Sequence, residues 1–64
     1  MISLTRLDER VVVLNADLIK MVEATPDTLI TFINGDTLMV REPVSEVVRR
    51  AIDYGRQMRV LRTA

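Results

Sequence analysis

The stretch "TLITFINGDTLMVRE", Thr28 to Glu42, limits what this chain can fold into more than any other. Asn34-Gly35 stands between two apolar runs. Asn-Gly is the strongest short hairpin signal, because a two-residue type I′ loop needs φ > 0 at both positions. Thr28, Ile30 and Phe32 fall on one face of the first run, and Leu29, Thr31 and Ile33 on the other. Closure over Asn34-Gly35 predicts that Ile33 pairs with Asp36, Ile30 with Met39 and Leu29 with Val40.

The segments before the hairpin also read as strands. "ISLTRL" alternates Ile2, Leu4 and Arg6 against Ser3, Thr5 and Leu7, and "DER" is a polar turn. "VVVL" is β-branched and too short for a helix, so a strand covered on both faces is expected. Asn15 to Asp17 is turn chemistry, because Asn and Asp side chains fold back on their own backbone. In "LIKMVEA" the Leu18, Met21, Val22 spacing also suits a helical turn. Pro26 ends the segment within a few residues, and the residue before proline prefers an extended conformation, so a strand is predicted.

At Pro43 the period changes. Proline suits the first helical position, where its missing N–H is not needed. Val44, Val47, Val48, Ala51, Ile52, Gly55, Met58 and Leu61 then follow a 3.6-residue repeat. Glu46 with Arg50 and Asp53 with Arg56 are spaced to support the outer face. Gly55 lies inside the apolar stripe at a cost of roughly 1 kcal/mol against alanine, which close approach of another backbone would justify. The expected fold is α+β: residues 1–64 as one domain, with a mostly antiparallel sheet of about five strands over roughly 2–41. One C-terminal amphipathic helix over roughly 43–61 packs on that sheet.

Size turns this into an argument about association. Below roughly 70–80 residues a single core seldom supplies more than ~3–5 kcal/mol, so small scaffolds add a disulfide, a metal or a partner chain. The 64 residues include no Cys and no His, yet 48% are hydrophobic. That leaves self-association as the staple. The expected seam is Val44, Val47, Ala51, Tyr54, Gly55, Met58 and Leu61, at the spacing of a packed helix pair.

Charge is balanced overall but not along the chain. Residues 1–48 carry four cations against eight carboxylates, a net of −4, and residues 49–64 carry a net of +4. Such a split marks either a face for nucleic acid or an acidic partner, or a solvated basic helix suited to its C-terminal dipole. "MISLTRLDERVVVLNADLIK" is broken by charges and does not read as a signal peptide. No apolar run approaches the ~18 residues of a membrane span. A cytoplasmic protein without membrane insertion is expected.

The residues for most chemistry are missing. General acid–base catalysis near neutral pH mostly uses His, and Ser3 and Ser45 have no imidazole to activate them. Gly35 and Gly55 are the only glycines, so no phosphate-cradling loop can form. Asp8 and Glu9 read as solvated turn residues, and "DTLITFINGDT" lacks calcium-loop spacing. No enzyme activity, metal, cofactor or small-molecule substrate is expected. Phe32 and Tyr54 are the only aromatics, which leaves no stacking platform for single-stranded nucleic acid. Phe32 reads as core, and Tyr54, beside the apolar stripe, as a candidate interface anchor.

Nearly the whole chain resembles the short FlbD-type flagellar proteins, also described as swarming motility proteins. The words that carry the resemblance are "MISLTRL", "LNADLIKMVEATPDTLITFINGDTLMVRE" and "PVSEVVRRAIDYGR". It implies a small cytoplasmic protein, placed at the flagellar base, that supports swarming or motor output. Its partner would be a basal-body or motor protein, and no catalytic residue is implied. "GRQMRVLRTA" extends past this common core. A second resemblance is carried by "MISLTR" and "LMVREPVSEVVRRAI", which look like the first strand and the strand-to-helix junction of carbon-storage-regulator RNA-binding proteins. That likeness implies an RNA-binding regulator in which Arg6 and Arg41 meet the nucleic acid. The middle of the chain departs from that family.

Overall fold

In the computed structural model, the backbone of residues 1–63 and the side chains of residues 1–56 are described. Strands β1 (Ile2–Thr5) and β2 (Val11–Leu14) form one antiparallel pair. A 3-10 turn (Ala16–Leu18) leads into β3 (Ile19–Ala24), β4 (Thr28–Phe32) and β5 (Thr37–Val40), a three-stranded antiparallel sheet with β4 in the middle. Helix α1 (Val44–Thr63) follows. The expected α+β order of five strands and one C-terminal helix is the observed one. The strands are divided between two sheets, which meet where Arg6 bridges Val40 and the Arg41 N–H donates to the Thr5 carbonyl at 2.8 Å.

Local chemistry places each junction. The Asn15 side chain accepts from the Asp17 N–H at 3.0 Å and starts the 3-10 turn, the capping role for which Asn is suited. Thr25-Pro26 is a cis peptide in the turn between β3 and β4. Ile19–Ala24 is extended, as the proline argument requires, with a register shift between Ile19 and Met21 that leaves Lys20 as an extra residue. The Pro43 carbonyl accepts from the N–H groups of Glu46 and Val47, so α1 starts one residue after the proline.

The β4–β5 and β1–β2 hairpins close over three residues with the same turn. Phe32 N–H donates to Asp36 C=O at 2.8 Å, and Gly35 N–H to Phe32 C=O at 2.9 Å. Only Gly35 has positive φ, at 94°. This is a type I turn followed by a left-handed residue, the second commonest hairpin solution, and not the type I′ loop predicted. Its extra residue moves the register by one: Ile30 faces Leu38, Leu29 faces Met39 and Thr28 faces Val40. The β1–β2 turn repeats the pattern, with Arg6 N–H donating to Arg10 C=O at 2.8 Å and Glu9 N–H to Arg6 C=O at 3.0 Å. Here the left-handed position is Glu9, φ 74°.

The core joins both sheets to the helix. Ile2, Leu4, Leu14, Ile30, Val40 and Val47 are buried, and Val12, Ile19, Val22, Phe32, Leu38 and Tyr54 pack against them. Burying each such aliphatic side chain contributes roughly 1.5–3 kcal/mol. Thr28 is the one buried polar residue among those described, and its hydroxyl donates to the Glu42 carbonyl at 2.6 Å. The expectation that "VVVL" is covered on both faces is not met within the chain. Leu14 is buried, but Val11 and Val13 are 70% and 62% exposed, because neither sheet nor helix lies over that face of the two-stranded pair.

Candidate functional site

The helix carries apolar residues around more of its circumference than its own sheet covers. Val47 is 1% exposed and belongs to the core, and Val44, Ala51 and Tyr54 are half-buried on the same side. Of the expected oligomer seam, Val47 and Tyr54 are packed into or against the chain's own core. Gly55 is half-buried with nothing within 4 Å of where a Cβ would sit, so among the described residues no backbone closes on that point. Met58 and Leu61 lie outside the described residues. One turn round from Val47, Val48 and Ile52 are 42% and 50% exposed.

Val48 and Ile52 form one wall of a groove. The other wall is Ala16, Ile19, Met21 and Val22, from the 3-10 turn and β3. Ala51 and Gly55 line the helix side as well, and the open volume is about 450 Å³. The lining is apolar except for Lys20, and Leu18 and Met21 are also exposed nearby. An apolar groove edged by a flexible Met and a bare Gly is suited to an apolar side-chain row from another protein. The periodicity showed the apolar residues, and only the position of β3 shows which of them remain open.

Charged groups at the start of the helix are tied to the fold. Both Glu42 carboxylate oxygens accept from the Thr5 N–H, at 2.8 and 3.0 Å, and Arg50 lies 3.5 Å from one of them. Partial burial alone would raise the Glu42 pKa, but the Thr5 bonds together with Arg50 outweigh it and hold the carboxyl below its usual value. Arg50 also donates to the Ser3 carbonyl at 2.6 Å and to Glu46 at 2.7 Å. Arg49 donates to Glu46 and Asp53. Hydrogen bonds from Arg49 and then Arg50 hold Glu46 at about 2. The expected Glu46–Arg50 pair is present, but Asp53 pairs with Arg49 four residues back rather than with Arg56. Arg49 and Arg50 are thus neutralised on the helix.

Arg6 and Arg41, the residues named for RNA contact, both lie where the two sheets meet, with Arg6 opposite Val40 and Arg41 bonded through its N–H to Thr5. The Arg41 guanidinium is bonded to Glu9. Arg6 lines a shallow cleft with Leu7, Asp8 and Thr37–Met39. Among the described residues no group of three or more acidic, His or Cys side chains is placed to hold a metal. No described helix is long and apolar enough to cross a membrane.

A family model of flagellar and swarming motility proteins, FlbD, matches residues 1–59. The chain belongs to the FlbD family. The match takes in all five strands, the turns between them and most of α1, so the residues that build the groove are part of the family domain. No curated protein matches the chain. No solved structure matches it either.

Proposed function

We propose that this FlbD-family chain works in flagellar or swarming motility by binding another protein, and that it catalyses no reaction. The observation that carries the reading is the open apolar groove between α1 and β3, with Val48 and Ile52 left exposed beside a core that has no use for them. Exposed apolar surface rimmed by polar residues is the usual mark of a protein contact. Family membership supports a motility partner, with a basal-body or motor protein as the expected class and the cytoplasmic side of the flagellum as the place.

Gene deletion followed by complementation tests the reading. Swarming or swimming is expected to weaken in the deletion strain, with target message levels unchanged, and to return with the wild-type gene but not with Ile52→Asp. Normal motility with altered message stability would favour the RNA-binding alternative instead. A pull-down from motile cells, comparing wild type with Ile52→Asp, identifies the partner.

A further inference from the structure

Strands β1 and β5 meet at the Arg6–Val40 bridge, and β2 and β3 lie on the far sides of their sheets, where the chain treats them differently. Strand β3 carries Lys20 and Glu23, breaks its register at Lys20 and runs into Pro26 just beyond its end. Charges, bulges and proline are the common devices that stop an edge from pairing with another chain. Strand β2 has none of them. Its four residues are Val-Val-Val-Leu, in unbroken register with β1.

The hydrogen-bond phase shows what β2 offers. Arg6 and Arg10 are a hydrogen-bonded pair, since the Arg6 N–H donates to the Arg10 carbonyl. Bonded and non-bonded pairs alternate along an antiparallel ladder. Val12, opposite Leu4, and Leu14, opposite Ile2, therefore turn their backbone groups toward β1. Val11 and Val13 turn theirs outward. Among the described residues, no turn or loop hydrogen bond reaches either of them.

We infer that the β2 edge pairs antiparallel with β2 of a second copy of this chain, with Val12 on the two-fold axis. Side chains directly opposite one another must lie on the same face, and residues with outward backbone groups must face one another. Face and backbone direction alternate together along a strand, so they set one condition on the register, and of the registers that meet it only the one centred on Val12 keeps both bonded pairs within β2. That register places Val11 opposite Val13 of the second copy, and Val13 opposite its Val11. Each such pair exchanges N–H···O=C bonds in both directions. The buried face then continues from one Val12 and Leu14 to the other pair, and the exposed valines become cross-strand neighbours. The two Arg10 side chains are kept at opposite ends of the ladder, each opposite a Leu14. An edge that complements itself in face, phase and charge needs no other partner. Such an interface is isologous and closes at two subunits. The seam is short beside the roughly 800 Å² per partner of a standard interface, so dissociation in the micromolar range is expected.

The inference stands apart from the motility reading, and purified protein tests it. Sedimentation equilibrium across the micromolar range is expected to show a monomer passing to a dimer. Val13→Pro removes an outward N–H without touching the β1 ladder, an edge position that proline tolerates. Val13→Lys places a charge on the exposed face. Both variants are expected to stay folded by circular dichroism and to sediment as monomers. In the wild type, exchange of the Val11 and Val13 amide hydrogens is expected to slow as concentration rises, a readout that needs no variant. A wild type that remains monomeric would overturn the proposal, as would folded Val13 variants that dimerise like it. Val11 and Val13 amides whose exchange ignores concentration would overturn it too.

Discussion

Thr5 and Glu42, 37 residues apart, meet where β1 leaves β5: the Thr5 N–H lies 2.8 Å from one carboxylate oxygen and 3.0 Å from the other. Arg41 N–H has already taken the Thr5 carbonyl. Without Glu42 the Thr5 amide would be a half-buried donor with no protein partner. The carboxylate also reaches Arg50 on the helix, so one side chain links the first strand, the end of the last strand and α1.

Glu42→Ala is therefore expected to destabilise the chain by about 2 kcal/mol, the size of a hydrogen bond to a charged group lost together with a partner left unmade. For a domain of this length that is a fall in Tm of roughly 10 °C. Glu42→Gln keeps one acceptor oxygen for the Thr5 N–H and should lose about half as much. Thermal melts of the two variants check the order, which a purely steric role for Glu42 would not produce.

Acid should weaken the same corner. The Glu42 carboxyl lies below its ordinary value of 4.5, and Glu46 lies at about 2. A carboxylate with a lowered folded pKa contributes stability that is fully present above its unfolded value. That contribution fades as pH falls toward the folded value. Urea unfolding is expected to show falling stability from about pH 4.5 down toward pH 2, and the double variant Glu42→Gln, Glu46→Gln should flatten that fall. Screening by high salt should shrink the part due to Glu46, whose Arg49 partner lies in solvent.

The two hairpins give a paired prediction. At Gly35 a Cβ would meet nothing within 4 Å, so the cost of substitution is conformational and not steric. Gly35→Val is expected to cost at least the roughly 1–2 kcal/mol of a left-handed non-glycine residue, and Gly35→Asn less, because Asn tolerates that conformation. Glu9 occupies the same position in the first hairpin, at φ 74°. Glu9→Gly should relieve its strain and raise stability by about 1 kcal/mol, reduced by the loss of an exposed ion pair with Arg41. Equal melting temperatures for wild type and Glu9→Gly would show that the Arg41 contact offsets the strain in full.

Strand and helix periods were legible because they repeat locally. Ile2 and Leu4 point inward as their alternation requires, and Ile19–Ala24 is extended. The hairpin register was off by one because Asn-Gly suits two loops, and one residue of loop length decides between them. The matching turn at Arg6–Arg10 carried no signal, since Glu9 fills the place where glycine would announce it. Contacts of long sequence separation were invisible in the same way: nothing around Glu42 marks it as the acceptor for Thr5. The candidate groove was half legible. Val48 and Ile52 belong to a stripe that any helical wheel shows, but which part of the stripe remains open depends on where β3 and the 3-10 turn lie.

That division of the stripe makes the last prediction. Val47→Asp places a charge in the core beside Leu4, Ile30 and Val40, and is expected to unfold the chain, because a buried unpaired carboxylate costs more than a domain this small can lose. Ile52→Asp, five residues on and 50% exposed, should change stability by no more than about 0.5 kcal/mol. It should nonetheless abolish partner capture and swarming if the groove is the docking site. Gly55→Ala separates the two effects further. Its Cβ would enter open space on the helix side of the groove, so stability should rise by roughly 1 kcal/mol through helix propensity. A more stable protein that no longer supports swarming would mean that a partner's backbone passes close to Gly55. One that supports swarming as well as the wild type would place the contact nearer Val48 and Met21, toward the other end of the groove.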